Sequence, residues 1–401
     1  MLLEIIGVMI LGIIVGSITG LIPGLHVNMI AALILTLLLQ YTLDIEMILI
    51  GVFIVALGIT HTFISFIPSL FLGVPTPDTV VSMLPGHELV SQGRGFEALK
   101  LTAWGSLGGV LLLGVFYILA YLFILPYFEQ FSSYIGKFLL AVLIYIILKE
   151  ESLNAKFWAT IIVLLSGGLG LIVLNSIHIQ NPLFLVFTGM FGTATLLIAL
   201  IQQSEFTPQD IDIITPFKTS YLGGMFLGGF SAMLCSIAPG LGNAQAGTIV
   251  MNIMRKVNAQ MMIVVLSAIN TVNFGLSILT LYVLERARNG AVVIFQQLEF
   301  TITLQIVILL FIVMIITGLI AYDLVFVLGK QVILFVEHIS TAKLNASIAF
   351  ILTFIIALIS NWSEFLAYVA AICLGVLCVQ VGVRRVHLMA VLLVPIIILL
   401  W

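Results

Sequence analysis

Hydrophobic residues fall in long runs along the chain, near 3–22, 25–39, 47–72, 98–125, 135–149, 157–174, 183–202, 220–237, 241–254, 259–284, 301–322, 324–336, 345–360, 363–381 and 385–400. A membrane helix needs roughly 20 apolar residues to cross the hydrocarbon core, and the runs supply such lengths repeatedly. Several are too short to span alone. The first two runs are parted only by Gly20-Leu21-Ile22-Pro23-Gly24-Leu25-His26-Val27-Asn28. The same break returns as Ser236-Ile237-Ala238-Pro239-Gly240-Leu241-Gly242-Asn243-Ala244-Gln245, 216 residues on from Pro23 to Pro239. That offset sets Gly12 on Gly228, Gly16 on Ala232 and Gly20 on Ser236. Small residues at every fourth position mark a helix face that packs closely on a neighbour. A duplication accounts for both features better than chance in an apolar chain. Looser echoes follow, Ile59-Thr60-His61-Thr62 against Ile269-Asn270-Thr271-Val272-Asn273, and Gly93-Arg94-Gly95 against Arg286-Ala287-Arg288-Asn289-Gly290.

The loop charges relate the two halves. Gln40 to Glu46 holds two acids and no Lys or Arg, whereas its counterpart carries Arg255 and Lys256. The positive-inside rule puts the first loop outside and the second in the cytoplasm. Lys149 to Lys156 likewise reads as cytoplasmic, and Asn175 to Pro182 as external. With each Pro-Gly unit a helical hairpin, residues 47–202 cross five times, and an odd count inverts the second copy. The expectation is an all-α polytopic membrane protein of about 10–14 membrane helices. It includes two Pro-Gly-broken hairpins and is arranged as two inverted repeats, 1–215 and 216–401. The scheme places Arg286 and Arg288 outside, against the charge rule.

Composition agrees. Of 401 residues 62% are hydrophobic and 8% charged, against about 25% charged in a soluble domain. The net charge of −3 and the absence of a Lys/Arg cluster give no reason to expect nucleic acid. Cys235, Cys373 and Cys378 lie in apolar runs without a CxxC and read as buried small residues, not a disulfide or metal site. The N-terminus lacks a basic n-region and reads as a retained membrane segment.

Candidate chemistry gathers at the irregular points. Proline removes an N–H and glycine lets the chain reverse. Unpaired backbone at membrane depth survives only against protein or a water-filled cavity. A helix restarting there offers free N–H groups and a positive dipole end to an anion. Pro23, Gly24, His26, Asn28, Pro239, Gly240, Asn243 and Gln245 are therefore the candidate substrate-binding residues, with plain kinks and interhelical hydrogen bonds as the structural alternative. The stretch Gly73-Val74-Pro75-Thr76-Pro77-Asp78 reads as a cavity-lining loop, with Thr76 an N-cap, Pro77 the first helical residue, and a short apolar stretch from Val80 ending at Pro85-Gly86. Thr60, His61, Thr76, Asp78, Arg94, Asn270 and Asn273 are candidates for a coupling ion or second site. Glu88, Arg94, Glu97 and Lys100 read as a paired, solvated loop, Arg94 being the cation best placed to meet an anion. Glu364 beside Trp362 reads as buried or interfacial. No Walker A loop, H-E-x-x-H, G-x-S-x-G elbow or K⁺-channel filter occurs, so no enzyme, catalytic residue, metal site or cofactor is expected.

The Gly20–Asn28 break, the Pro75–Gly95 stretch with Gly105-Ser106-Leu107-Gly108-Gly109 after it, and the second break at Ser236–Gln245 together resemble the large membrane subunit of tripartite tricarboxylate transporters, the TctA-type permeases. The resemblance implies uptake of citrate-like carboxylates driven by an ion gradient, and Na⁺ or H⁺ is the expected coupling ion. It also implies a small membrane subunit and an extracytoplasmic binding protein as partners. The chain departs from that pattern at Gly58-Ile59-Thr60-His61-Thr62, where such permeases tend to have Tyr-Gly-Gly-Ser. It departs again at Gly73-Val74-Pro75-Thr76-Pro77-Asp78, in place of an Asn-x-Pro-Gly. The residue-level reading is a permease for a small organic anion. The alternative is a translocase of a lipid-linked phosphate such as a polyprenyl phosphate, which would want an Arg or Lys near the breaks.

Overall fold

A computed structural model describes residues 1–22, 25, 27–41, 46–72, 79, 82–179, 182–202, 207–237, 243, 246–247, 250, 258–285, 287, 289–298 and 300–399. Every element among them is helical. The helices are α1 (Leu2–Leu21), α2 (Val27–Tyr41), α3 (Met47–Ile64), α4 (Phe66–Phe71), α5 (Met83–Ser91), α6 (Gly95–Leu119), α7 (Phe128–Leu148), α8 (Leu153–Asn175) and α9 (Pro182–Phe187). They continue with α10 (Ala194–Gln202), α11 (Ser220–Ile237), α12 (Ala259–Leu284), α13 (Val293–Gln297), α14 (Leu304–Glu337), α15 (Thr341–Ile359), α16 (Trp362–Gln380) and α17 (Ala390–Leu399). A π-helical turn, Thr188–Thr193, joins α9 to α10.

Among the described residues seven helices are long and apolar enough to cross a membrane, and four shorter ones are apolar too. The chain is a multi-pass integral membrane protein, because only a helix pairs its backbone groups internally where no water can. Polar residues mark where helices start. Ser152, Asn258, Thr303, Ser340 and Asn361 each accept a backbone N–H of the first turn of α8, α12, α14, α15 and α16.

The structure corrects three local expectations. The runs 301–322 and 324–336 form one 34-residue helix, α14. Asp323 does not break it, because its side chain lies on an exposed face. Pro85-Gly86 does not end a segment but lies inside α5. Pro85 sits in the first turn, where its missing N–H has no helical partner to lose. Cys235 and Cys378 are buried, but Cys373 is exposed, on the outer face of α16.

Two helical bodies carry the cores. The central one packs α1–α7 and α11–α14; the peripheral one packs α9, α10, α15 and α16, with α8 and α17 contributing to both. In the centre, α3–α4 and α12 are the most enclosed spans.

Glycine contacts fix the directions. A methyl on Gly12 would lie 2.7 Å from the Phe53 carbonyl, on Gly16 2.5 Å from that of Leu57, and on Gly20 2.7 Å from Ile64 Cβ. Position rises along both helices together, so α1 and α3 run parallel. In the same way Gly224 meets Met261 and Gly228 meets the Val265 carbonyl at 2.5 Å, making α11 and α12 parallel. Between the pairs the sense reverses. Gly58 seats the Phe274 ring, and Asn270, four positions earlier, bonds Thr62, four positions later. Thus α3 and α12 cross antiparallel.

Candidate functional site

The crossing of α3 and α12 is polar. Asn270 Nδ2 donates to the Thr62 carbonyl at 3.3 Å, and Thr271 Oγ1 to Thr62 Oγ1 at 3.3 Å. Asn243, in the segment following the second Pro-Gly break, donates through Nδ2 to Asn270 Oδ1 at 2.9 Å. On the other flank, Thr19 Oγ1 of α1 lies 3.2 Å from His61 Nδ1. All these side chains are buried. At 1.5 Å per residue Asn270 stands about 17 Å along α12, whose length is about 39 Å, so the cluster lies near mid-helix. No Asp, Glu, Lys or Arg occurs in α3, α4 or α12. Among the described residues the centre is built of amides, hydroxyls and one imidazole, groups that both donate and accept.

The hydroxyl lining continues along α3–α4. His61, Ser65 and Ser69 recur at spacing four, which sets them on one helix face. Thr60 Oγ1 and Ser65 Oγ are buried oxygens without a hydrogen-bond partner among the described residues. Ser69 Oγ lies 2.6 Å from Thr79 Oγ1, and the Ser69 carbonyl lies 3.3 Å from His87 Nε2 on α5.

The sequence-derived candidates separate accordingly. Thr60, His61, Asn243 and Asn270 belong to this buried centre. Asn273 lies on the same helix as Asn270 but is only partly buried. Asn28 packs elsewhere, its side chain 2.7 Å from where a Gly290 Cβ would stand. Pro23, Gly24, His26, Thr76, Asp78, Pro239, Gly240 and Gln245 lie outside the described residues. Arg94 is committed to an acid. Its Nε and one terminal nitrogen bond the two Glu97 oxygens at 2.8 and 2.9 Å. The expected solvated loop is therefore only half right: Glu88 is exposed, but Glu97 is buried and also accepts from Gln260 Nε2, while Lys100 donates to the Ile213 carbonyl at 2.6 Å. Residues 207–218 form a strap over this end. Gln209 accepts from Gly95 N at 2.7 Å, and its own N–H donates to Glu337 at 2.8 Å.

Sequence reasoning missed a second buried polar cluster. Arg384 Nε and His387 Nε2 meet the same Glu150 oxygen at 2.8 and 2.7 Å, and Arg384 also donates to the Ile146 carbonyl. Burial would raise the Glu150 carboxyl, but the bonds and charges of Arg384 and His387 outweigh it and hold the pKa below the usual value. Arg385 donates to Thr195 Oγ1 at 2.5 Å. Adjacent arginines opening an apolar run are a positive-inside mark; nothing in their spacing says which is paired.

Comparison with known proteins gives two matches and a blank. A model of the tripartite tricarboxylate transporter TctA family matches residues 6–390. The chain is 32% identical over 353 residues, 86% of each chain, to the uncharacterized protein MJ1079 of Methanocaldococcus jannaschii. No solved structure matches.

Proposed function

From the premise that the chain belongs to the tripartite tricarboxylate transporter TctA family, we propose that it is an ion-coupled permease for a di- or tricarboxylate working by alternating access. The observation carrying this reading is the buried polar centre where α3 and α12 cross antiparallel, with Asn243 joined to Asn270 and Asn270 to Thr62. Polar groups in a membrane core are costly, and they gather where substrate or ion must pass. The parallel pairs α1/α3 and α11/α12, opposed to one another, support the division into inverted halves 1–215 and 216–401. In such carriers the substrate sits near the midplane between repeats, facing broken-helix ends. The carboxylates are held by the N–H groups of the restarted helices together with Asn243, Asn270 and the α3–α4 hydroxyls. The coupling ion is Na⁺ or H⁺, and a small membrane subunit and an extracytoplasmic binding protein complete the assembly.

The test is uptake of labelled citrate and succinate into proteoliposomes under Na⁺ or pH gradients, alongside thermal-shift binding with carboxylates and a short-chain polyprenyl phosphate. Gradient-driven uptake, abolished in folded Asn243→Ala protein, is expected. Stabilisation by the lipid phosphate alone would replace the carrier with a translocase.

A further inference from the structure

Among the described residues the buried centre contains no Lys or Arg, yet a di- or tricarboxylate brings two or three negative charges into it. A guanidinium is available at the boundary of the two helical bodies. Arg384 is spent on Glu150 and the Ile146 carbonyl, and His387 takes the same Glu150 oxygen. Arg385, next in the chain, is partly buried and has one polar partner, Thr195 Oγ1 on α10. No carboxylate pairs with it among the described residues. Enclosing an arginine without a counter-ion is expensive, and four of its five N–H donors remain to be used.

Its position is what gives it meaning. Arg385 comes from the peripheral body, but its charge reaches His87 on α5 of the central body. There desolvation lowers the imidazole pKa, the Ser69 carbonyl opposes that, and the arginine lowers it further. Leu196, the residue after Thr195, forms a small apolar cluster with Ala349 and Leu352, against which Leu72, just after α4, packs. Arg385 thus belongs to the part of the peripheral body beside the end of α4, the helix that carries Ser69 with its Thr79 partner on the face continuing through Ser65 to His61. The planar fork of arginine matches a carboxylate in two parallel bonds.

We propose that Arg385 is an anion-binding residue of the permeation path, contributed by the peripheral body, and that it takes a carboxylate of the transported anion against the hydroxyl face of α4. The ligand class rests on the carrier reading above; the presence of an oxyanion site does not.

The experiment measures equilibrium binding of citrate, succinate and inorganic phosphate to purified full-length protein, with Na⁺ present throughout. It compares wild type, Arg385→Gln, Arg385→Lys and the exposed-charge control Lys343→Gln, each checked for monodispersity. Loss of a charge-assisted pair raises Kd about 10- to 100-fold, so Arg385→Gln should bind citrate that much more weakly, with Lys343→Gln unchanged. Folded Arg385→Gln with wild-type affinity overturns the Arg385 site and leaves the carrier standing. Phosphate binding that depends on Arg385, without carboxylate binding, removes the carboxylate reading and keeps an oxyanion site. Wild type binding none of the three removes both. Should Arg385→Gln fail to fold, Arg385→Lys decides: it keeps the charge and loses the fork, and wild-type citrate affinity in it overturns the proposal.

Discussion

The close packing of α11 on α12 can be tested by one methyl group. A Cβ on Gly228 would stand 2.5 Å from the Val265 carbonyl oxygen and 3.0 Å from Ala268 Cβ, where ordinary contact begins at 3.4 Å. The helices must part by about 0.9 Å, and overpacking of this kind costs about 1–3 kcal/mol. Alanine also favours the helix by roughly 1 kcal/mol over glycine, which would mask part of the loss. Gly223 in the same helix removes that ambiguity, since a methyl placed there would meet nothing within 4 Å. The propensity gain is common to Gly228→Ala and Gly223→Ala, so their difference isolates the packing cost. At about 2.1 cal/mol/K per residue over 401 residues, about 1–3 kcal/mol corresponds to roughly 1–4 °C in Tm. The assay is thermal unfolding of both variants in the same detergent, followed by intrinsic fluorescence. Gly12→Ala, which meets the Phe53 carbonyl at 2.7 Å, should fall on the Gly228 side. Gly228→Ala melting at or above Gly223→Ala would refute the helix contact and the parallel register read from it.

Two other expectations follow from the polar clusters. Asn270→Leu removes the bonds to Asn243 and Thr62; stability should fall by about 1–2 kcal/mol and citrate uptake should vanish, whereas wild-type uptake would remove Asn270 from the path. Glu150 has a pKa held below its ordinary 4.5 by Arg384 and His387 against burial, so its contribution is fully present above that value and is lost as pH falls through the lower folded-state pKa. The Tm gap between wild type and Glu150→Gln should close as pH falls through the Glu150 pKa, with the titration of His387, bonded to the same oxygen and lowered by burial, superimposed on it; a gap that does not change with pH would refute the ion-pair account.

The helical membrane class was legible because it rests on composition, and each apolar run can be judged without knowing its neighbours. The glycine spacing at Gly12, Gly16 and Gly20 likewise declared a packing face, since the fourfold period belongs to one helix. What the sequence withheld were the partners. Asn270 and Thr62 are 208 positions apart, and only the antiparallel crossing makes them one site. Arg94 looked like the available cation because its bidentate capture by Glu97 depends on a side chain buried at the start of α6. Arg385 looked like an ordinary boundary charge because its neighbour, not itself, takes Glu150. Asp323 looked like a helix boundary, although α14 runs through it with the side chain on an exposed face.

The loop contacts bear on the proposed halves in a way no single-helix pattern can. Under the division at 215, the α7–α8 loop corresponds to the α15–α16 loop, and the α8–α9 loop to the α16–α17 turn. A twofold exchange of halves then demands that any contact between the first loop of one half and the second loop of the other be mirrored. Glu150 of the α7–α8 loop binds Arg384 of the α16–α17 turn. Asn361 of the α15–α16 loop donates through Nδ2 to the His178 carbonyl of the α8–α9 loop at 2.7 Å. Helix packing follows the same exchange. Gly170 of α8 brings it against the Val391 carbonyl of α17, and Gly375 of α16 brings it against the Met190 carbonyl of the π-helical turn. The residue types differ between the two members of each pair, an acid with arginine against an amide with a carbonyl. In an arrangement of inverted halves each half buries the ends of the other, which constrains the contacts and not the residue types that make them.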